Sequence, residues 1–229
     1  MSHLLAMWWR DVAFFHYRVP PGIIERSLPC GVEPDCFDGS AWLSVVPFRL
    51  TDVHLRGLPV LPGFRAVPEI NLRTYVRVRE RPGIWFYSLD ATSAIAVEAA
   101  RIVTALPYFH ASVETSENGG TIRYNSDRRD KRALPGRFQA QYRPAPETRR
   151  AESGSIDAFL HERYRFYSAR GDRVLTAEVR HEPWALQDLE VEIVENTLGA
   201  TIAYQLAREP EIATFGRGAY VTASLTTNA

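Results

Sequence analysis

Residues 69–108, EINLRTYVRVRERPGIWFYSLDATSAIAVEAARIVTALPY, decide how this chain is read. Ile70, Leu72, Val76 and Val78 alternate with Glu69, Asn71, Arg73, Tyr75, Arg77 and Arg79. A side-chain period of two puts these sets on opposite faces of a strand. The apolar set packs inward. The polar set has two readings. Pattern alone favours solvent, because antiparallel sheets often wet one face, and this reading suits Arg77 and Arg79. For Glu69, Asn71, Arg73 and Tyr75 the alternative is the inner wall of a polar cavity. Arg81-Pro82-Gly83 predicts a turn, since Pro fixes φ and Gly tolerates positive φ. Residues 84–89 are apolar on both faces, which predicts a central, covered strand. Asp90, Thr92 and Ser93 are candidate N-caps of a helix, with Ile95, Ala99, Ile102 and Leu106 as its apolar stripe. Pro107 stops that helix and delivers Tyr108 beside the two strands.

Working outward, the 229 residues are 45% hydrophobic, enough for a sizeable core, and the whole chain, 1–229, is expected to be a single domain. Lys and Arg balance Asp and Glu at 27 each. A net charge of zero argues against nucleic acid or an anionic membrane as a partner. No apolar run reaches membrane-spanning length, and the first twenty residues hold no signal-peptide core. A cytoplasmic protein with reduced Cys30 and Cys36 is expected. Lys131 is the sole lysine, and it lies in the charge-dense run Asp127-Arg128-Arg129-Asp130-Lys131-Arg132, which predicts an exposed turn.

Before the central stretch, residues 8–19 predict a first strand with Val12, Phe14 and His16 on one face. A short helix is expected over 22–27. Asp38-Gly39 signals a hairpin turn into a strand at 40–48. Residues 50–67 lack regular pattern but hold Leu58, Leu61 and Phe64, so they are expected either to cap a pocket as a lid or to pack on the barrel exterior or at a dimer contact. After the stretch, strands are predicted over 110–115, 121–126 and 137–143, the last burying Phe138, Ala140 and Tyr142. Residues 144–154 are polar and the least ordered by composition. A short helix at 155–160, strands through 168, at 174–181 and around Leu189, Val191 and Ile193, a helical stretch at 197–206 and a last strand at 219–225 complete the chain.

Motifs for metal, phosphate or nucleophilic chemistry are absent. The six histidines have no ligand spacing, and no HExxH, GxGxxG, Walker or GxSxG motif occurs. No metal and no cofactor is expected. What remains is the polar strand face. Arg73 offers a bidentate fork to a carboxylate. Glu69 would either pair with Arg73 as a structural ion pair or, desolvated, serve as general acid or base. Asn71, Tyr75 and Tyr108 are donors for a carbonyl or enolate oxygen.

The runs SLDATSAIAVEAARIVTALPY and PEINLRTYV resemble the YqjF-like family of bacterial proteins. VPPGIIERSLPCGVEPDCFDGSAWLSVVPF, FLHERYRFYS and HEPWAL agree, so the resemblance spans about residues 9–186. That family is similar, more remotely, to acetoacetate decarboxylase. The resemblance implies an α+β fold that is mostly antiparallel β: a cone-like β-barrel or curved sheet with a few flanking helices. It implies a pocket, a glutamate in it that best matches Glu69, and a homo-oligomer. Two lysines follow the equivalent proline in the decarboxylase; Tyr108 and Phe109 stand there in this chain. Schiff-base chemistry is therefore not expected. The functional expectation is a lysine-independent enzyme, of lyase or hydratase type, on a small carboxylate or keto compound. Glu69 and Tyr108 would be catalytic, and Asn71, Arg73 and Tyr75 would bind substrate. A non-catalytic small-ligand binding protein and a structural oligomerisation domain are the alternatives. Glu162, Arg163 and Tyr164 match the family's ERY segment and are expected to brace the barrel end.

Overall fold

Two closed circuits of strands share one wall. The computed structural model describes residues 3–60 and 66–229. In chain order these form β1 (His3–Val19), α1 (Pro21–Glu25), β2 (Glu33–Pro34), β3 (Ala41–Leu55), β4 (Ala66–Val78), β5 (Arg81–Ala91) and α2 (Ala94–Thr104). Then follow β6 (Tyr108–Asn118), β7 (Thr121–Arg128), β8 (Arg137–Pro144), α3 (Ile156–His161), β9 (Arg165–Arg170) and β10 (Arg173–Arg180). The chain ends with β11 (Leu186–Asn196), a 3-10 turn (Leu198–Ile202), β12 (Ile212–Ser224) and β13 (Thr227–Asn228). The strand order is β13-β10-β9-β5-β6-β7-β8-β11-β12-β1-β3-β4-β2, and further pairings join β4 to β5 and β10 to β12. The sheet thus closes on itself twice. One circuit runs through β6, β7, β8 and β11, the other through β9 and β10, and both return through β12, β1, β3, β4 and β5. The two pairings that β5 makes with β6 and β9 are parallel, and its pairing with β4 is antiparallel. The result is the mostly antiparallel, curved, helix-poor sheet that the family resemblance implies.

This shared wall explains why alternation misleads on β4. Ile70 and Leu72 turn into the larger core with Phe15, Val45, Tyr124 and Phe138. Glu69, Asn71 and Arg73 turn into the other circuit and are 2%, 4% and 7% exposed. The solvent reading of these residues is therefore wrong, because the strand has an interior on each side. It holds for Arg77 and Arg79, which lie beyond the shared stretch and are exposed.

Several local expectations shift. The turn between β4 and β5 is Arg79-Glu80, both at positive φ (47° and 64°), and not Arg81-Pro82-Gly83. Gly83 instead sits where a Cβ would lie 2.6 Å from the Tyr167 ring. Asp38-Gly39 is the hairpin turn expected, at φ 50° and 71°. β3 runs on to Leu55, so the start of the expected irregular stretch 50–67 is strand, as is its end in β4. Leu61, Phe64 and the rest of 61–65 lie outside the described residues, and the lid with them. The 144–154 stretch is tied to β11 by reciprocal 2.8 Å bonds between Arg149 and Leu186. Helical structure near 197–206 is limited to the 3-10 turn.

Helix α2 begins as predicted, with the Ser93 hydroxyl accepting from Ala96 N–H at 3.3 Å. Its buried face is not the predicted stripe. Val97 docks against Val67 and Ala91, while Ile95 and Ile102 are 81% and 74% exposed. Asp90 is no cap: it lies in β5 and makes a bidentate pair with Arg128 at 2.7 and 2.8 Å. Both side chains are fully buried, so Arg128 leaves the expected exposed turn. Among the described residues no helix is long and apolar enough to cross a membrane.

Candidate functional site

The second circuit encloses a cavity of about 330 Å³. Its walls are largely apolar, with Phe14, Val46, Phe48, Phe86, Phe166 and Trp184 among them. A backbone irregularity sets the lining on β1. Asp11 has φ 52°, and the β1–β3 register shifts between Arg10 and Phe15. Side-chain parity changes there, so Met7 and Trp9 before the shift and Val12 and Phe14 after it all face the cavity.

Polar groups enter this apolar space from a few positions. β4 supplies Glu69, Asn71 and Arg73, and the start of β6 supplies Tyr108. Tyr108 is placed by the helix stop: Pro107 O accepts from Leu89 N–H at 3.0 Å, and β6 then pairs in parallel with β5, Tyr108 opposite Leu89. Its hydroxyl sits near enough to the Glu69 carboxylate for each group to shift the other's titration. Burial raises the Glu69 pKa to about 8; the Tyr108 hydroxyl opposes this and the nearby Asp90 charge adds to it. At neutral pH Glu69 is thus mostly a neutral acid. Burial, with the Glu69 charge beside it, also holds the Tyr108 phenol well above its ordinary value. Glu69 Oε2 and Asn71 Oδ1 are buried without a hydrogen-bond partner.

Arg73 is the unusual member. Its Nε is buried with no partner, and its guanidinium lies 5.5 Å from the centre of the Phe14 ring. Among the described residues two other arginines touch the cavity, but Arg163 pairs with Asp35 at 2.7 Å and Arg165 with Glu178 at 2.9 Å. Among the described residues Arg73 enters no ion pair, with Glu69 or any other acid. The structural Glu69–Arg73 pair is not formed. Four residues along a strand span roughly 13 Å, so the two groups are separate stations on one wall with Asn71 between them.

Tyr75 continues the same face of β4 but is not part of the cavity lining. Its hydroxyl contacts Ser44 Oγ at 2.8 Å and donates to Leu160 O at 3.0 Å, which spends it on a buried network. That network holds two histidines that the sequence did not bring together. His16 Nε2 meets His161 Nε2 at 3.2 Å, and His16 Nδ1 meets Ser44 Oγ at 2.7 Å. The Asp157 carbonyl accepts from His161 Nδ1 at 2.8 Å, and Thr214 Oγ1 lies 2.7 Å from Nε2. Burial pushes His161 down to about 4 and His16 well below its ordinary value. His161 lines the cavity. The one hint in the sequence was its place in FLHERYRFYS. Arg163 in the same run braces α3, donating to Phe159 O at 2.6 Å.

No lysine lines the cavity, and Lys131 is exposed on its turn. Phe109, beside Tyr108, faces away and stacks under Arg128 at 4.9 Å. Among the described residues no group of three His, Cys, Asp or Glu is placed to hold a metal. Cys30 and Cys36 are free and exposed.

Over residues 6–219 the sequence matches DUF2071, a family of uncharacterized conserved proteins. The chain belongs to this family. A relative, the uncharacterized protein YqjF of Bacillus subtilis strain 168, is 44% identical over 191 residues, covering 83% of this chain and 78% of YqjF. Among solved structures, an acetoacetate decarboxylase-like enzyme from Sphingomonas wittichii RW1 superposes with a TM-score of 0.65 at 11% identity. It covers all of this chain and 94% of that one. The enduracididine biosynthesis enzyme MppR complexed with pyruvate gives 0.58 at 15% identity, covering 100% and 89%. At these identities the likeness speaks for the fold. This member of DUF2071 therefore has the acetoacetate-decarboxylase-like fold with a Tyr-Phe pair after Pro107.

Proposed function

We propose that this protein takes a carboxylate or keto compound into the cavity and moves a proton on it without a Schiff base. Arg73 holds the carboxylate, Glu69 delivers and recovers the proton, Asn71 orients the ligand, and Tyr108 steadies Glu69. Arg73 is the observation that carries this reading. A buried guanidinium without a counter-ion costs several kcal/mol of desolvation, and an anionic ligand supplies the missing charge. Glu69 supports the proton-transfer role, since a group with a pKa near 8 exchanges protons readily at working pH. Tyr75 acts from behind the cavity, through α3 and Ser44, and not on the ligand. The class of reaction is a lyase or hydratase step at carbon beside a carbonyl. A cytoplasmic homo-oligomer remains the proposed setting, and two free exposed thiols suit a reducing compartment.

A second reading, ligand binding without turnover, is favoured by the largely apolar lining. Proton exchange separates the two. Oxo acids are incubated with the protein in D2O, and loss of the C–H signal beside the carbonyl is followed by NMR. Catalysed exchange that Glu69→Gln abolishes supports the enzyme. Binding with no exchange above the protein-free rate makes the protein a carrier or sensor.

A further inference from the structure

The cavity is polar at depth and apolar at its rim. Arg73, Asn71 and Glu69 are successive inward-facing residues on β4, and through the β3 register they stand opposite Ser44, Val46 and Phe48. Continuing along β3 leads through Leu50 to Leu55 at the mouth. There Leu55, Val103 and Leu225 line the cavity while remaining 39%, 52% and 48% exposed. A ligand thus meets an apolar entrance first, the Glu69–Tyr108 pair part-way and the Arg73 guanidinium last. A cavity of about 330 Å³ holds roughly a dozen heavy atoms, at a share of about 30 Å³ each like that of a water. Pyruvate has half that number and would leave the apolar stretch unfilled.

Resting on the carboxylate reading above, we propose that the ligand is an amphipathic oxo acid of about eight carbons. It is bound carboxylate first on Arg73, with its apolar tail along Phe48 and Leu50 toward the Leu55, Val103 and Leu225 rim. Apolar walls reward each buried methylene by about three- to fourfold in affinity. The buried charge at the far end rewards the carboxylate separately.

The test is isothermal titration calorimetry at pH 7 with pyruvate, 2-oxohexanoate, 2-oxooctanoate and the neutral 2-octanone, on wild type and Arg73→Met. The expected result is a steady rise in affinity with chain length, at least a hundredfold from pyruvate to 2-oxooctanoate. 2-Octanone should bind at least tenfold more weakly than the acid, a difference that Arg73→Met erases. Ala223→Phe, which fills the apolar lining, should weaken 2-oxooctanoate at least tenfold and leave pyruvate unchanged; the wild-type series decides the matter if that variant does not fold. Pyruvate binding as tightly as 2-oxooctanoate, both lost in Arg73→Met, would overturn the amphipathic ligand and leave the carboxylate site standing. 2-Octanone binding as tightly as the acid, indifferent to Arg73, would overturn the carboxylate site. Absence of binding by every compound would overturn both.

Discussion

Glu69 and Arg73 face one cavity from one strand, four residues apart, and do not pair with each other. Each is instead conditioned by something else: Glu69 by burial and Tyr108, Arg73 by the Phe14 ring. A cation over an aromatic face returns about 2 kcal/mol when desolvated. Desolvating the charge costs several. The balance makes Arg73 a destabilising charge unless an anion joins it, which is expected of a binding site and not of a core.

Arg73→Met should therefore leave the unliganded protein at least as stable, and up to about 3 kcal/mol more stable. Urea denaturation with and without the substitution checks this. A loss of more than about 2 kcal/mol would mean that Arg73 has a structural partner.

Glu69 makes a prediction with a defined sign. Its pKa is raised on folding, from an ordinary 4.5 to about 8. Between those values the folded protein keeps a proton that the unfolded chain releases. Stability from this group is therefore greatest below pH 4.5 and falls as pH rises to about 8, by up to roughly 1.4 kcal/mol per pH unit. Glu69→Gln stays neutral throughout. Its stability relative to wild type should climb from pH 5 to 8 and level off above. A flat difference across that range would contradict a protonated Glu69.

The buried histidines act in the opposite direction. Their folded pKa values are depressed, His161 to about 4. Unfolded histidine takes up a proton near 6.5, so stability from this pair is present above that value and lost as pH falls toward 4. Because the Asp157 carbonyl accepts from Nδ1, neutral His161 carries its proton there, and one proton suffices between the two facing Nε2 atoms. Nitrogen-15 NMR of the imidazoles should show both rings neutral at pH 6, with His161 protonated on Nδ1. A ring of either residue titrating near 6.5 in the folded protein would refute this.

Ile102 tests the orientation of α2. At 74% exposure, Ile102→Ser should change unfolding free energy by no more than about 0.5 kcal/mol. The stripe expected from sequence would make the same change a core truncation, worth about 2–5 kcal/mol. Thermal denaturation of a dilute sample distinguishes the two.

Local chemistry was the part of this fold most readable from sequence. The alternation in β8, the Asp38-Gly39 turn and the Ser93 cap each depend on a few neighbouring residues, whereas α2 ends at Thr104 with Ala105 in the left-handed conformation, ahead of the expected stop at Pro107. Three of the four strand residues proposed for the site, with Tyr108, do meet in one cavity. What escaped was set by distant partners. β4 is buried on both sides because two circuits close around it, and no alternation pattern reports a second interior. Tyr75 is drawn away by Ser44 and Leu160, Asp90 by Arg128 across 38 residues, and His16 by His161 across 145. The α2 stripe failed because the helix docks mainly through Val97 and small residues around it, leaving its larger apolar side chains outside.

The most direct test of the central claim is the thermal midpoint of wild type and Arg73→Met with and without saturating 2-oxooctanoate. A ligand at about 100 times its Kd adds roughly 2.7 kcal/mol to the state that binds it. The account predicts that wild type gains that stabilisation while Arg73→Met, at least as stable as wild type when unliganded, gains little or none. Equal stabilisation of both proteins would place the anion elsewhere and contradict the role given to Arg73.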